Sequence, residues 1–510
     1  MEVVLINKKF TFNGSGCKLV PLGLGYLHAS IRDEFDAEIV QLDFDNYIND
    51  LIKIIYEKKV DVICFSIYEG MFDKVQKIAK IIKNLKSTIK IIIGGPFPTF
   101  ASKSILNNYK QFDYVILGEG EKSLKELLRI IQYSPIKIMD IKNIPGIAFI
   151  DESKYYCSAI EEIDVNTVPI PSWDVLFSIG DNLTDRFVPI CTSRGCFGKC
   201  IFCSFDYKRT RKIRSRNLEN VKKEIELLIN NYDQHEFFFS EPNFLYSRER
   251  TKSFINMLKT INGIETFGFT TRVDSLLNCK DLLHDLVELG CRSIELGVES
   301  GSESQLKRFK KGVSVSQNEE AVKIILDLKN KVENFVYCID LILFDPYSTK
   351  QEIIETLNFL CKMNLNSRDN ELILYNSMNL YEGTLIKKMS IDDKLSVNSI
   401  ELPYYEFESE DVKEIFNYMF LFMNKIQQKL NILDDLFFQI FNSKKYFQLE
   451  DLRIKVNIMK LYNKRNTVVF DYLNELLMKN NNLGYYEIFT KYELNVDNSL
   501  TKLSDFVHEL

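Results

Sequence analysis

CFGKCIFC, residues Cys196 to Cys203, sets three thiols at a CxxxCxxC spacing on one short stretch. Three thiolates so spaced can hold three irons of a cubane cluster and leave the fourth iron open. An open iron can be chelated by the amino and carboxylate groups of S-adenosylmethionine, and one electron from the cluster then cleaves the sulfonium to a 5'-deoxyadenosyl radical. The same residues leave a structural zinc site open as an alternative, with Cys191 as fourth thiolate, although zinc ligands usually fall in two groups separated by a longer insert. The chain has eleven cysteines, an odd number. With no signal-peptide core in MEVVLINKKF, residues 1–10, that count fits a reducing cytoplasm better than a disulfide framework.

The longer string TSRGCFGKCIFCSF, residues 192–205, resembles the cluster loop of the radical S-adenosylmethionine superfamily. The resemblance implies a [4Fe-4S] cluster on Cys196, Cys200 and Cys203. It places Phe202, directly before the last cysteine, against the adenine of S-adenosylmethionine.

Working outward, 510 residues are enough for two to four domains with a substantial core. The net charge of −6 argues against general nucleic-acid binding, which normally shows as a basic excess. One local basic run, Lys208 to Arg216, follows the cysteines. It reads either as a solvated loop or as a patch that steers an anionic substrate or an electron donor. No stretch is long and apolar enough to span a bilayer. The expected setting is therefore the cytoplasm.

Residues 1–150 alternate short β-rich runs with amphipathic helices, which implies an α/β domain with a doubly wound parallel sheet. Strands are expected at Val3 to Ile6, Ala37 to Leu42, Val60 to Ser66, Ile89 to Ile93 and Tyr114 to Ile116, with helices such as Phe72 to Leu85 and Ser123 to Gln132 between them. Ligands of such sheets bind beyond the carboxyl ends of the strands. There lie Ser66, Gly94 and Gly95, and then Gly118, Glu119 and Gly120. The runs PLGLGYLHASIRD, IIIGGPFPTF and VILGEGEKSLKELL resemble the cobalamin-binding domain that precedes the radical domain in one branch of the superfamily. The resemblance makes those six residues cobalamin contacts, the glycines letting backbone approach the corrin. The DxHxxG loop that supplies a histidine to cobalt is absent, and His28 sits in a helical run. Cobalamin is therefore expected to bind without a histidine ligand; a degenerate domain that has lost the cofactor is the alternative.

The passage between the domains begins with the turn signal at Ile144, Pro145 and Gly146 and a hairpin-like segment from Ile147 to Tyr156, and the linker proper is placed at 151–187. Strand and helix alternation then resumes over 188–390, consistent with the partial (β/α) barrel of the superfamily, its first strand at Val188 to Thr192. Residues at the carboxyl ends of parallel barrel strands converge on one mouth. By resemblance, Glu241 and Asn243 lie near the methionine ammonium, although Ser240, Glu241 and Pro242 depart from the family's usual string. Arg272 is placed to bind the methionine carboxylate with two hydrogen bonds, a salt bridge at the barrel rim being the alternative for it and for Glu299. Glu299 and Ser300, in GVESGSE, are placed near the ribose or the ammonium. Thr349 is expected to cap a helix beginning near Lys350, and a last strand is expected at Leu372 to Met378. Residues 391–510 read as a helical C-terminal domain, a possible substrate cap, with helices at Asp411 to Leu430, Leu433 to Phe441, Leu449 to Tyr462 and Thr467 to Met478.

The resemblance implies cobalamin-dependent methylation of an unactivated carbon. One S-adenosylmethionine methylates the corrinoid and a second yields the radical that abstracts hydrogen, after which the substrate radical takes the methyl. Implied partners are a small-molecule or peptide substrate and a reducing donor such as flavodoxin or ferredoxin. A non-methylating cyclase or rearrangement enzyme with a cobalamin-free first domain stays open, as does a non-catalytic corrinoid- or zinc-binding module.

Overall fold

A computed structural model describes residues 1–8, 20–68, 70–133, 138–179, 187–204, 212–366, 377–395, 405–442, 467–478 and 485–509. Its first sheet has seven strands: β1 (Glu2–Lys8), β2 (Asp36–Leu42), β3 (Val62–Ser66), β4 (Lys90–Gly94), β5 (Tyr114–Ile116), β6 (Ile147–Asp151) and β7 (Lys154–Cys157). Their order is β2-β1-β3-β4-β5-β6-β7, with β1 to β5 parallel. On β1, Val3 and Leu5 enter one apolar cluster and Val4 and Ile6 another, so the sheet is buried on both faces. The hairpin expected after Gly146 forms and joins this sheet: β6 runs antiparallel to β5, pairing Tyr114 with Phe149. The sheet therefore continues to Cys157.

The second sheet is all parallel and follows chain order, β8 (Val188–Ile190), β11 (Glu236–Phe239), β12 (Thr266–Arg272), β13 (Cys291–Glu299) and β14 (Val336–Leu341). Parallel neighbours need crossovers: Leu218–Tyr232 lies between β8 and β11, Arg248–Leu258 between β11 and β12, the short Val273–Asn278 and Leu283–Glu288 between β12 and β13, and Val315–Lys331 between β13 and β14, while Lys350–Lys362 follows the last strand. Side-chain caps start the longer of these helices. Asn217 accepts from the Glu219 N–H, and Thr349 forms a capping box with Glu352. β8 stops at Ile190, two residues before the expected end. The chain then turns into the short β9 (Ser193–Arg194), which pairs antiparallel with β10 (Arg214–Ser215). Of the expected strand at Leu372 to Met378, residues 372–376 lie outside the described residues, and Ser377 makes a parallel bridge to Phe344.

The two sheets share one core. The cluster around Val3 and Leu5 continues through Trp173 and Leu176 of helix Trp173–Ile179 to Val188, Ile190 and Phe237 of the second sheet. Gly25, in helix Leu22–Ile31, admits this linker helix: a Cβ there would come within 2.6 Å of the Leu176 side chain. Trp173 is buried and donates its indole N–H to Glu224, 3.0 Å away, while Glu224 also pairs with Arg216 at 2.6 Å. His28 is a packed histidine, its ring nitrogens 2.8 Å from the Ser172 hydroxyl and 2.9 Å from the Ala37 carbonyl.

The C-terminal region is helical, with one difference in partition. A single helix, Glu410–Asn442, covers what reads in sequence as two, because Asn431 and Ile432 between them carry no glycine or proline to break it. Residues 467–477 form a helix as expected, and Leu449 to Tyr462 lie outside the described residues. A further helix, Tyr485–Glu509, was not anticipated. It packs on the long helix through Phe422 and Phe489, whose rings lie 5.5 Å apart, and through Glu493 with Lys425 and Lys429. Its apolar positions Ile488, Tyr492, Val496 and Leu500 recur every fourth residue, the signal that identifies it. Among the described residues no helix is long and apolar enough to cross a membrane.

Candidate active site between the two sheets

In a 2-1-3-4-5 sheet the strand order reverses between β1 and β3, and a crevice opens beyond the carboxyl ends there. A cavity of about 420 Å³ occupies that position. Ser66, Gly94, Gly95, Gly118, Glu119 and Gly120 all line it, with Leu22, Gly23, Tyr26 and Tyr68. Gly95 has φ +104°, and a Cβ there would meet the Ile67 carbonyl oxygen at 2.8 Å, so only glycine fits. Thr99 ties the two glycine turns together: its hydroxyl donates to the Gly95 carbonyl at 2.8 Å and accepts from the Gly118 N–H at 3.0 Å. The far wall belongs to the second sheet. Cys191, Arg194 and Ser240, which follow β8 and β11, close the cavity. The shape and mainly apolar lining fit a large flat cofactor held between the sheets.

Next to this wall lies the cysteine loop. Cys196, Cys200 and Cys203 line one recess with Phe100, Gly198, Lys199, Ile201, Gly383, Thr384 and Leu385. Gly195, directly before the first cysteine, has φ +92°, and a Cβ there would lie 2.2 Å from the Lys212 carbonyl oxygen. The Gly198 N–H donates to the Cys196 sulfur at 3.3 Å and Arg272 Nη1 to the Cys200 sulfur at 3.4 Å. Three sulfurs on one recess, with a guanidinium and a backbone N–H aimed at them, fit an anionic iron-sulfur cluster. Phe100 reaches the recess from the first sheet's helix Pro96–Asn108, against Gly383 (φ +74°), where a Cβ would come within 2.0 Å of its ring.

The other sequence-derived positions lie at the carboxyl ends of the second sheet. Phe202 packs edge-on against Phe309 with ring centroids 5.3 Å apart, beside the recess. Arg272 is buried. Besides touching Cys200 it binds Asp274 at two points, 2.9 and 3.0 Å, and the Lys311 carbonyl at 2.7 Å. Glu241 is buried where β11 ends and accepts from the Thr192 hydroxyl; burial pushes its carboxyl up to about 7, against the pull of that hydrogen bond. Asn243 accepts from Thr271 and from the Arg272 N–H and donates to Ser275, so its amide braces the end of β12. Ser300 donates to Gln305 at 2.6 Å and accepts from the Ser302 N–H at 2.9 Å, which makes it part of the turn after β13.

Glu299 stands apart. It adopts φ +70° at a register shift between β13 and β14, and its carboxylate accepts from the buried Lys311 ammonium at 2.8 Å. Gly297 leaves room for that pair, since a Cβ there would meet both groups within 2.9 Å. Backbone held at positive φ in a bulky residue is strain that surrounding contacts must maintain, and it concentrates at functional sites. Nearby, Glu295, Cys338 and Asp340 bring their polar atoms within 4.8 Å of one another. Burial first, then the Glu295 and Glu299 charges, push the Asp340 carboxyl up to about 7. Lys311, Thr99 and Arg194 escape the sequence reading. Of the basic run Lys208 to Arg216, residues 208–211 lie outside the described residues, while Arg214 and Arg216 are bound to Glu119 and Glu224 inside the protein instead of standing as a solvated loop or a steering patch. Lys311 lies in KKGVS, residues 310–314, a few residues after GVESGSE, but only the fold brings it to Glu299.

Comparison with known proteins bears on both halves. A B12 binding domain model matches residues 12–128 and a Radical SAM superfamily model matches residues 190–360. An uncharacterized methyltransferase of Pyrococcus horikoshii is 27% identical over 353 residues, 68% of this chain and 74% of its own length. The 4'-phospho-dehydrooxetanocin synthase of Priestia megaterium is 28% identical over 338 residues, and the chain spans 44% of that enzyme. The hopanoid C-3 methylase of Methylococcus capsulatus is 25% identical over 320 residues, 61% of this chain and 59% of its own length. Among solved structures, the cobalamin-dependent S-adenosylmethionine radical enzyme OxsB with aqua-cobalamin bound superposes with a TM-score of 0.76 at 18% identity, covering 100% of this chain and 80% of that one.

Proposed function

We propose that this chain, a member of the radical S-adenosylmethionine superfamily with a B12-binding domain ahead of its radical domain, methylates an unactivated carbon of a small-molecule or peptide substrate. The observation that carries the reading is the shared wall. Cys191 and Arg194, which line the cavity at the glycine turns, precede the first cluster cysteine by five and two residues. When bound, the cluster supplies the electron that splits S-adenosylmethionine, and the corrinoid supplies a methyl group for a carbon that has neither an acidic proton nor a lone pair.

The chain's own residues divide the work. Cys196, Cys200 and Cys203 hold the irons, while Arg272 and the Gly198 N–H neutralise charge on the sulfurs. Ser66 and the glycines at 94, 95, 118 and 120 form the corrin floor, where a missing Cβ allows close approach. Phe202, Glu241, Asn243, Arg272, Glu299 and Ser300 shape the S-adenosylmethionine side. Of these, Glu299 with Lys311 offers a charged pair at the mouth, whereas Asn243 and Ser300 brace the loops that carry it. A low-potential donor such as flavodoxin or ferredoxin delivers the electron, in a reducing cytoplasm.

The test is cofactor and product analysis of protein purified anaerobically from cells supplied with hydroxocobalamin. Near-stoichiometric cobalamin, with both 5'-deoxyadenosine and S-adenosylhomocysteine formed, is the expected result. Cys200→Ala should abolish 5'-deoxyadenosine formation. Undiminished cleavage in that variant would sink the radical assignment, and a cluster-bearing protein free of cobalamin would replace methylation with a cyclisation or rearrangement.

A further inference from the structure

The cysteine loop is closed by a ladder with its own charge. β9 and β10 pair Arg194 with Arg214 and Ser193 with Ser215, so the two strands bracket the segment bearing all three cluster cysteines. Both arginines reach from this ladder into the first domain. Arg214 donates from its two terminal nitrogens to the two oxygens of Glu119, at 2.8 and 2.6 Å. Arg194 donates to Glu121 at 2.6 Å, lies 3.3 Å from Glu119, and sits over the Tyr26 ring with 5.2 Å to the centroid. The arginine side chains are 19% exposed and the glutamates 10%, so water screens these pairs far less than surface ones. Bidentate guanidinium–carboxylate pairs also fix orientation, not only distance.

Glu119 lies between Gly118 and Gly120 on the cavity floor, and Thr99 ties Gly118 back to Gly95. One connected path therefore runs from both glycine turns, through Glu119 and Arg214, to the strands that bracket the cysteines. We propose that Arg214 and Arg194 are positioning residues that lock the corrin floor to the cysteine loop and so set the separation of the two cofactors; this rests on the cofactor assignment of the proposed function. Neither arginine needs to touch a reacting atom for this role. The clamp also shields the cavity edge at Glu119 and Glu121.

The experiment uses Arg214→Met in the full chain, reconstituted with iron and sulfide, loaded with hydroxocobalamin and reduced anaerobically so that cluster and cob(II)alamin are both paramagnetic. Two readouts are taken: corrinoid affinity by absorbance titration, and the magnetic interaction between the two centres by electron paramagnetic resonance. The expected result is a normal isolated cluster signal, hydroxocobalamin bound about tenfold more weakly, and a reduced interaction. Arg214→Lys keeps the charge but loses the two-point geometry, and should recover affinity more than interaction. Unchanged affinity and interaction in Arg214→Met would overturn the clamp. If that variant does not fold, unchanged values in Arg214→Lys would overturn it instead. Failure of the wild-type protein to bind hydroxocobalamin would overturn the cofactor assignment itself, a result read before any variant.

Discussion

Glu241 shows how much one buried carboxyl decides. Its folded value of about 7, against an ordinary 4.5, means that the folded protein holds this proton more tightly than the unfolded chain. Its contribution therefore favours the fold below about pH 4.5 and is lost as pH rises to about 7, a swing of up to about 3 kcal/mol. Glu241→Gln should remove that swing, so the stability gap between variant and wild type should widen in the variant's favour between about pH 5 and about pH 8. Denaturant melts at the two ends measure it, and a gap independent of pH would show an ionised Glu241 throughout. At this scale the sequence was informative about residue type and less so about duty. The cysteines and glycines are legible because thiol spacing and absent Cβ atoms have few other uses. Asn243 was legible as a polar group at the mouth, but its hydrogen bonds are spent on Thr271, Arg272 and Ser275, partners that no local pattern announces.

Helices and strands were read more reliably where local chemistry governs them. Phe72–Leu85 and Tyr114–Ile116 fall where periodicity puts them, and the Thr349 cap forms as its sequence implies. Thr349→Ala should lower stability by about 1 kcal/mol by freeing the Glu352 N–H, read as a lowered thermal midpoint with cluster content unchanged. An unaltered midpoint would mean that Glu352, which also binds Arg308 at 2.7 and 2.8 Å, starts the helix without the cap. The reading failed where an element's limits depend on distant partners. β8 ends early because the chain turns to pair Ser193 and Arg194 with a segment twenty residues further on. The long C-terminal helix runs through Asn431 and Ile432, which separate the two expected helices, because its buried spacing continues unbroken from Ile426 through Leu430 to Leu433.

At the scale of the molecule, the cavity at the glycine turns and the recess at the cysteines are faces of one interface. The glycine cavity, the cysteine recess and the apolar cluster through Trp173 and Leu176 all draw residues from both sheets. Such contacts were the least legible part. Arg194 meets Glu121 across 73 positions and Arg214 meets Glu119 across 95, and neither separation leaves a trace in periodicity or composition. Domain type could be read because each sheet buries its own alternating strands, whereas the way the sheets face each other is a property of the assembled chain.

Trp173 turns this interface into an optical one. It is the one tryptophan of 510 residues, buried on the linker helix that packs against Gly25, next to Leu24 and Tyr26 of the cavity wall. Corrinoids absorb where tryptophan emits, so adding hydroxocobalamin should dim Trp173 fluorescence in proportion to occupancy, without dye or label. Denaturant that parts the two sheets should instead shift the emission to longer wavelength as the indole meets water. Emission that stays constant through a corrinoid titration would place the corrinoid away from this cavity. A chain with a single tryptophan at its junction, excited beyond the tyrosine band, thus reports, by brightness, what it has loaded and, by colour, whether its halves are still joined.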